Sequence, residues 1–262
     1  MLDRVPILRI YKEARRETER TEDTVVVEHS LTITLNNKEL VTLLCSPEKL
    51  DYLAIGFLFS EGLIKSKEDI GKISIDEPHS MVRVVTTEKV KILENTTSSR
   101  LIASSGGRGI SPYGSNLWKN KIDSQLNISP VEIFNLLEGF VHRSEVFEST
   151  GGVHSAALSD TKGILFFSED IGRHNAIDKV FGECLLKGIP TDDHIVLTSG
   201  RVSSEIVHKV VKRNIPILIS KSAPTTKGVK LADELALTLI GFAREGRMNV
   251  YTHRWRIASH ER

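Results

Sequence analysis

IVLTSGRVSSEIVHKVVKRNIPILIS, residues 195–220, carries the decision on fold class. Ile195 to Thr198 is a short apolar, β-rich run, Ser199-Gly200-Arg201-Val202 breaks it, Ser203 to Arg213 has helical spacing, and Pro216 to Ser220 is again a strand. Strand, helix and strand at this distance form a crossover unit. Outward toward the C-terminus the alternation continues with a helix over Thr226 to Leu237 and a strand over Thr238 to Phe242. Toward the N-terminus come strands at His154 to Leu158 and Gly163 to Ser168, a helix over Arg173 to Leu186, and a helix opened by Ser129-Pro130 that runs through Phe140 and Val146. The pattern predicts an α/β fold with a largely parallel sheet and helices on its faces.

The first half reads differently. Arg9 to Asp23 mixes both charges in every turn and is expected as a solvated arm. Thr24 to Val27, Leu31 to Leu35 and Glu39 to Leu44 are short strands, with Asn36-Asn37 as a two-residue hairpin turn. Ser46-Pro47-Glu48 should cap and open a helix that ends at Gly62. Strands over Lys72 to Ile75 and Met81 to Thr86 flank the turn at Asp76-Glu77-Pro78. Asn95 to Asn127, rich in Ser, Gly, Thr and Asn, is read as a long loop. The division expected is a smaller α+β domain over residues 1–125, including that loop, and an α/β domain over 126–262.

The chain of 262 residues, 40% hydrophobic and 26% charged, has the composition of a soluble globular protein and can bury a sizeable core. Lys+Arg 35 against Asp+Glu 34 provides no global field to gather nucleic acid or anionic lipid. No run reaches the ~20 apolar residues of a membrane helix. Cys45 and Cys184 are too few for a disulfide framework and are not spaced as a structural zinc site, which suits a reducing cytoplasm. Cys184 lies on the stripe Ala176, Ile177, Val180, Phe181, Cys184, Leu185 and is expected as an inert core thiol. Cys45, at a strand-to-helix corner, is open to partial exposure.

Three strand exits end in small or polar clusters that also begin helices: Glu169 to Asn175, Ser199 to Ser204 and Ser220 to Thr226. In open α/β sheets ligands bind at the carboxyl ends of strands, where helix N-termini offer N–H groups to anions. Gly172 and Gly200 lack a Cβ where a ligand would approach, and Arg173 and Arg201 follow them as anion-gripping side chains. His174 and Asn175 begin the first helix, with His174 a candidate acid, base or orienting group and Asp178, one turn on, a partner for it or for Lys179. Ser199 and Ser222 complete the exits. Downstream, Arg244, Arg247, His253, Arg254 and Arg256 interleave with Tyr251 and Trp255, a pattern that suits stacking on a base and gripping phosphate as well as a solvated edge.

These residues resemble the FdhD family of formate dehydrogenase accessory sulfurtransferases. The matching stretches are Leu53 to Leu58 with Glu61-Gly62, Thr150 to His154, Glu169 to Lys179, Ser199 to Arg201, Ser222 to Thr225, Thr238 to Arg244 and Tyr251 to His253. The resemblance implies a two-domain protein whose C-terminal half has a cytidine-deaminase-like α/β fold without the deaminase zinc. It implies a carrier that takes sulfur from a cysteine desulfurase to the molybdenum bis(molybdopterin guanine dinucleotide) cofactor before formate dehydrogenase receives it. Phe242, Ala243, Arg244, Glu245, Gly246 and Arg247 match the segment the family uses for that cofactor. A homodimer is compatible with the reading, nucleic acid and membrane are not partners, and the location implied is cytoplasmic.

One departure is evident. Sulfur-carrying members have a Cys-x-x-Cys pair where this chain has Ser105-Gly106-Gly107-Arg108-Gly109-Ile110, so that Gly106 and Gly109 stand at the cysteine positions. A persulfide needs a thiolate. The chain is therefore expected to bind the cofactor without accepting sulfur at that loop, which leaves open whether it is an enzyme at all. The alternatives are a sulfurtransferase using Cys45 and a nucleotide-processing enzyme on a deaminase-like fold using His154 or His174.

Overall fold

The computed structural model describes residues 1–12, 18–87, 100–102, 121–244 and 246–258. Leu2–Arg9 (β1) and Glu19–Val26 (β2) pair antiparallel as a ribbon, so Arg9 and Glu19 to Asp23 of the charged stretch read as a solvated arm are strand, while its residues 13–17 fall outside the described residues. Its charges are those of a mostly exposed ribbon, with Arg9 opposite Glu19.

His29–Leu35 (β3) and Lys38–Cys45 (β4) form the expected hairpin, and Asn36 and Asn37 take the positive φ of its turn, 49° and 65°. Leu50–Glu61 (α1) follows, then Ile70–Asp76 (β5), Met81–Thr86 (β6) and Arg100–Ile102 (β7) in one sheet ordered β5-β6-β3-β4-β7. β7, parallel to β4, lies inside the stretch read as loop. The rest of that stretch, through residue 120, falls outside the described residues, and Gly106 and Gly109 with it.

Helix α1 does not start at Ser46-Pro47. Ser46 is buried, its N–H donates to Asp170 Oδ2 (3.0 Å), and its Oγ accepts from Ile171 N (3.1 Å), so it is occupied before it could cap a helix. The first helical residue is Leu50, after a left-handed Lys49.

Pro130–Val141 (α2) is capped by Ser129, with Glu132 reaching back to the Ser129 amide. It stops short of Val146 because Ser144 leaves helical geometry (φ −89°, ψ 57°) to hydrogen-bond Ser155, and Glu145–Thr150 (α3) is a separate turn of helix. His154–Ser159 (β8), Ile164–Asp170 (β9), Arg173–Lys187 (α4), Ile195–Thr198 (β10), Ser204–Val211 (α5), Ile217–Ser220 (β11), Thr226–Glu234 (α6), Thr238–Arg244 (β12) and Arg247–Val250 (β13) complete the order. β13 was not foreseen.

The second sheet runs β13-β12-β11-β10-β8-β9 and is mixed. Only β10–β11 and β11–β12 are parallel pairings, while β8–β9, β8–β10 and β12–β13 are antiparallel. The expectation of a largely parallel sheet failed toward its two ends, where short turns make hairpins of β8–β9 and β12–β13 and leave no room for a crossover, and β8, reversed against β9, also lies antiparallel to β10. At one of them Asp160 Oδ1 accepts from the amides of Lys162 (2.7 Å) and Gly163 (2.8 Å).

Strand alternation divides the core. Ala157, Ile195, Leu197, Ile217 and Ile240 pack against α2, whereas Ala156, Val196, Leu218 and Leu239 share a cluster with α4, α5, α1 and the first sheet. α1 lies against α4 with almost no space between backbones, because a Cβ at Gly56 would stand 1.7 Å from the Asp178 carbonyl oxygen and one at Gly182 would stand 2.0 Å from that of Tyr52. The C-terminal carbonyls of α1 are met by cations beyond α5, with Lys212 Nζ donating to Ser60 O (2.8 Å) and Arg213 Nη2 to Phe59 O (2.9 Å).

Candidate functional site

Because β8 runs against both β9 and β10, strands β9, β10, β11 and β12 all point one way. Their carboxyl ends and the amino end of β8 form one rim. The three exits singled out in the sequence meet there.

The Glu169 to Lys179 block divides its labour. Asp170 and Lys179, both 0% exposed, form an ion pair at 2.7 Å. Asp170 also accepts from the amides of Ser46 and Gly172 and from Asn175 Nδ2, and Asn175 donates further to Leu44 O (2.9 Å). Lys179 reaches the carbonyls of Ser46 (3.2 Å) and Glu169 (3.3 Å). Asp178 accepts from Ser60 Oγ (2.6 Å) and pairs with Lys209, neither of the partners considered for it from sequence. This half of the block joins the β4–α1 corner to α4, and the polar atoms of Gly172 and Asn175 serve that joint. Glu169 turns to the opposite face, where the Phe147 amide donates to it at 3.4 Å; burial raises its pKa.

Arg173 and His174 belong to the rim. A Cβ at Gly200 would stand 2.8 Å from Arg173 Cβ, so the missing side chain at 200 makes room for the arginine stem. Arg201 is exposed beside it. Ser199 Oγ accepts from Ser155 N (2.9 Å) and stands 3.4 Å from His154 Nδ1. Ser220 Oγ donates to Gly200 O (2.8 Å), and Ser222 O accepts from Phe242 N (3.0 Å), which ties β12 to the same rim. Phe242 has φ 50°, a left-handed value uncommon for a bulky side chain, at an irregularity in the β12–β13 pairing. Arg244 and Arg247 face each other across that pairing and are exposed, as is Gly246 in the turn. Ala243 is buried in the core, and Glu245 lies outside the described residues.

Six buried side-chain polar atoms lack a hydrogen-bond partner among the described residues, and Arg173 Nε, His174 Nε2 and Ser203 Oγ, half of them, belong to this rim. His174 Nε2 stands 3.5 Å from Glu205 Oε2 without bonding to it. Unsatisfied buried donors call for an explanation, and a bound group is one. Ser203 lies within the Ser199 to Ser204 exit but was given no role from sequence, and Glu205 was not singled out. Ser203 precedes α5 as a capping residue type yet makes no cap bond, a fact only the structure carries.

Charge on the rim comes from the guanidinium groups. Burial, then Arg173 and Arg201, lowers the pKa of His154, and burial, then Lys209 and Arg173, pushes His174 down to about 3. Both imidazoles are neutral at neutral pH. A histidine buried neutral must charge when the chain unfolds in acid, so its contribution to stability is present above its ordinary value of 6.5 and is lost as pH falls toward about 3. Unfolding free energy should therefore drop over that window in urea titrations, and His174→Gln should flatten the decline. An unchanged slope in the variant would contradict the assignment.

Other expectations were corrected. The corner at Cys45 is closed: the thiol is 0% exposed and pushed up to about 12 by burial, with Asp170 adding to the shift. Cys184 is buried as expected. Within the basic tail Arg256 is wholly buried, donating to Ser124 O, Ala236 O and Thr238 Oγ1, and is a structural residue rather than a phosphate grip.

The model of the FdhD/NarQ family matches residues 26–258. The chain is similar to the sulfur carrier protein FdhD of Bacillus subtilis (strain 168), 42% identical over 260 residues, covering 98% of this chain and 99% of the relative. It is 39% identical over 245 residues to the sulfur carrier protein FdhD of Staphylococcus haemolyticus, with 92% of each chain covered. A crystal structure from Desulfotalea psychrophila, described as a formate dehydrogenase accessory protein, superposes with a TM-score of 0.78 at 26% identity over 98% of this chain and 99% of that one.

Proposed function

Because this chain belongs to the FdhD/NarQ family, we propose that it is an accessory protein of formate dehydrogenase maturation that holds the molybdenum bis(molybdopterin guanine dinucleotide) cofactor by its phosphates along the rim. The observation that carries the reading is the set of orphaned buried atoms, Arg173 Nε, His174 Nε2 and Ser203 Oγ, on the edge where strands β9 to β12 end. Two of them are donors seeking an acceptor. Phosphate oxygens supply acceptors and negative charge together, and Arg173 and Arg201 supply the matching cations.

The residues fit such a group. Arg173, Arg201 and Ser203 would bind its oxygens, the neutral His174 would hydrogen-bond an uncharged polar atom, and Arg244 and Arg247 would meet a second charged portion from the β12–β13 turn. When bound, the cofactor supplies the molybdenum and its sulfur-accepting position; this chain's residues bind and orient it. No described helix is long and apolar enough to cross a membrane. A cytoplasmic location belongs to the family reading.

Titration calorimetry with guanosine and adenosine diphosphates is the direct check. Guanosine diphosphate should bind and adenosine diphosphate should bind at least about 10-fold more weakly, the loss expected when hydrogen bonds in a built site are left unmade. Equal binding of the two would overturn the guanine assignment, and binding of neither would overturn the phosphate rim.

A further inference from the structure

The relatives just described are sulfur carriers by name. Carrying sulfur as a persulfide takes a thiolate that a donor can reach. This chain has Cys45 and Cys184 and no other cysteine. Both side chains are 0% exposed, and both sit in the core cluster between the first sheet, α1 and α4. Cys45 closes β4 opposite His29, behind Ser46, whose amide and hydroxyl are tied to Asp170 and Ile171. Cys184 lies deep in α4 on the face turned to that cluster. Cys45 sits close to Asp170 at the end of β9, yet neither thiol has any surface open to the rim. Burial also pushes both thiols up to about 12, so little thiolate exists at neutral pH.

We propose that this chain binds the sulfur acceptor but bears no sulfur itself, and that the sulfur arrives at the rim on the persulfide of a donor acting in trans. The inference rests on the cofactor reading above. In the transfer step the outer sulfur of the donor persulfide would pass to the cofactor in its two-electron-reduced state, which would give up that electron pair to the sulfur and be oxidised. A bond to that sulfur forms, the S–S bond breaks, and the inner sulfur leaves as a thiolate with the bonding pair. Both reactants are named, and no external oxidant or reductant enters. A protein persulfide and a low-molecular-weight persulfide share this chemistry.

The test uses the full chain incubated natively with a cysteine desulfurase and cysteine, followed by non-reducing peptide mapping. The peptides containing Cys45 and Cys184 should carry no added sulfur, and both thiols should become alkylated only in denaturant. In parallel, a Cys45→Ala/Cys184→Ala variant should support formation of active formate dehydrogenase as well as wild type. One arm supplies the desulfurase and the other a small-molecule persulfide, so the arm that succeeds identifies the source. Added sulfur on either native peptide, or loss of activation in a variant shown to be folded, would overturn the proposal. If the variant does not fold, native labelling of wild type decides alone. If wild type itself fails to activate the enzyme while both thiols stay unlabelled, the accessory reading fails and the absence of a carrier thiol stands.

Discussion

Asp170→Ala should lower the unfolding free energy by about 3–5 kcal/mol, the usual consequence of removing one partner of a buried ion pair. Lys179 would keep its charge with no exposure to water and lose its 2.7 Å partner. The amides of Ser46 and Gly172 and the Asn175 side chain would lose their acceptor in the same stroke. Since Ser46 belongs to the first half of the chain and the others to α4 and its approach, the β4–α1 corner should loosen from α4. Urea denaturation measures the loss. Asp170→Leu with Lys179→Met should be more stable than Asp170→Ala, because no unpaired charge remains inside. A change under about 1 kcal/mol for Asp170→Ala, the scale of exposed pairs, would show that the pair is not the joint described.

Gly56→Ala and Gly182→Ala should each destabilise by about 1–3 kcal/mol or more, although alanine is the better helix former by about 0.5–1 kcal/mol. The reason is backbone contact: the added carbons would stand 1.7 Å and 2.0 Å from carbonyl oxygens of the facing helix, and a carbonyl cannot rotate aside as a side chain can. Helices α1 and α4 would have to separate along their length. Gly139, in α2, is the internal control, since its added Cβ would find only Ile164 Cδ1 at 4.0 Å. Gly139→Ala should be neutral or stabilising by about 0.5–1 kcal/mol. Thermal unfolding of the three variants side by side gives the order, and a stabilised Gly56→Ala would contradict the close crossing.

Much of this architecture was legible because its signals are local. Ile195 to Thr198 and the Asn36-Asn37 turn declare themselves through side-chain type and backbone preference, and the structure keeps both. Of the ribbon β1–β2 only Thr24 to Val26 was read as strand; the rest was hidden because its residues are mostly exposed and densely charged, which masks the apolar period that marks a strand. Ser46 misled because capping type and position favour a helix start, while a carboxylate 124 residues away holds it elsewhere. The same distance effect divides the Glu169 to Lys179 block. Its residues read as one site, yet Asp170, Asn175 and Lys179 face inward to a partner segment that no local pattern announces, and Arg173 and His174 face the rim. Strand exits located that rim from sequence alone, because strands that run in one direction bring their ends together. Ser203 lay inside one of those exits, yet its role stayed unseen, since its missing partner is a property of the assembled structure.

The rim as a phosphate-binding edge is tested most directly by calorimetric titration of guanosine diphosphate into wild type and into the Arg173→Met/Arg201→Met variant. Each charge-assisted contact is worth about 1.5–3 kcal/mol, so the double variant should bind about 100-fold or more weakly while its urea midpoint stays close to that of wild type. Undiminished affinity in a folded double variant would contradict the rim and move the ligand elsewhere on the molecule.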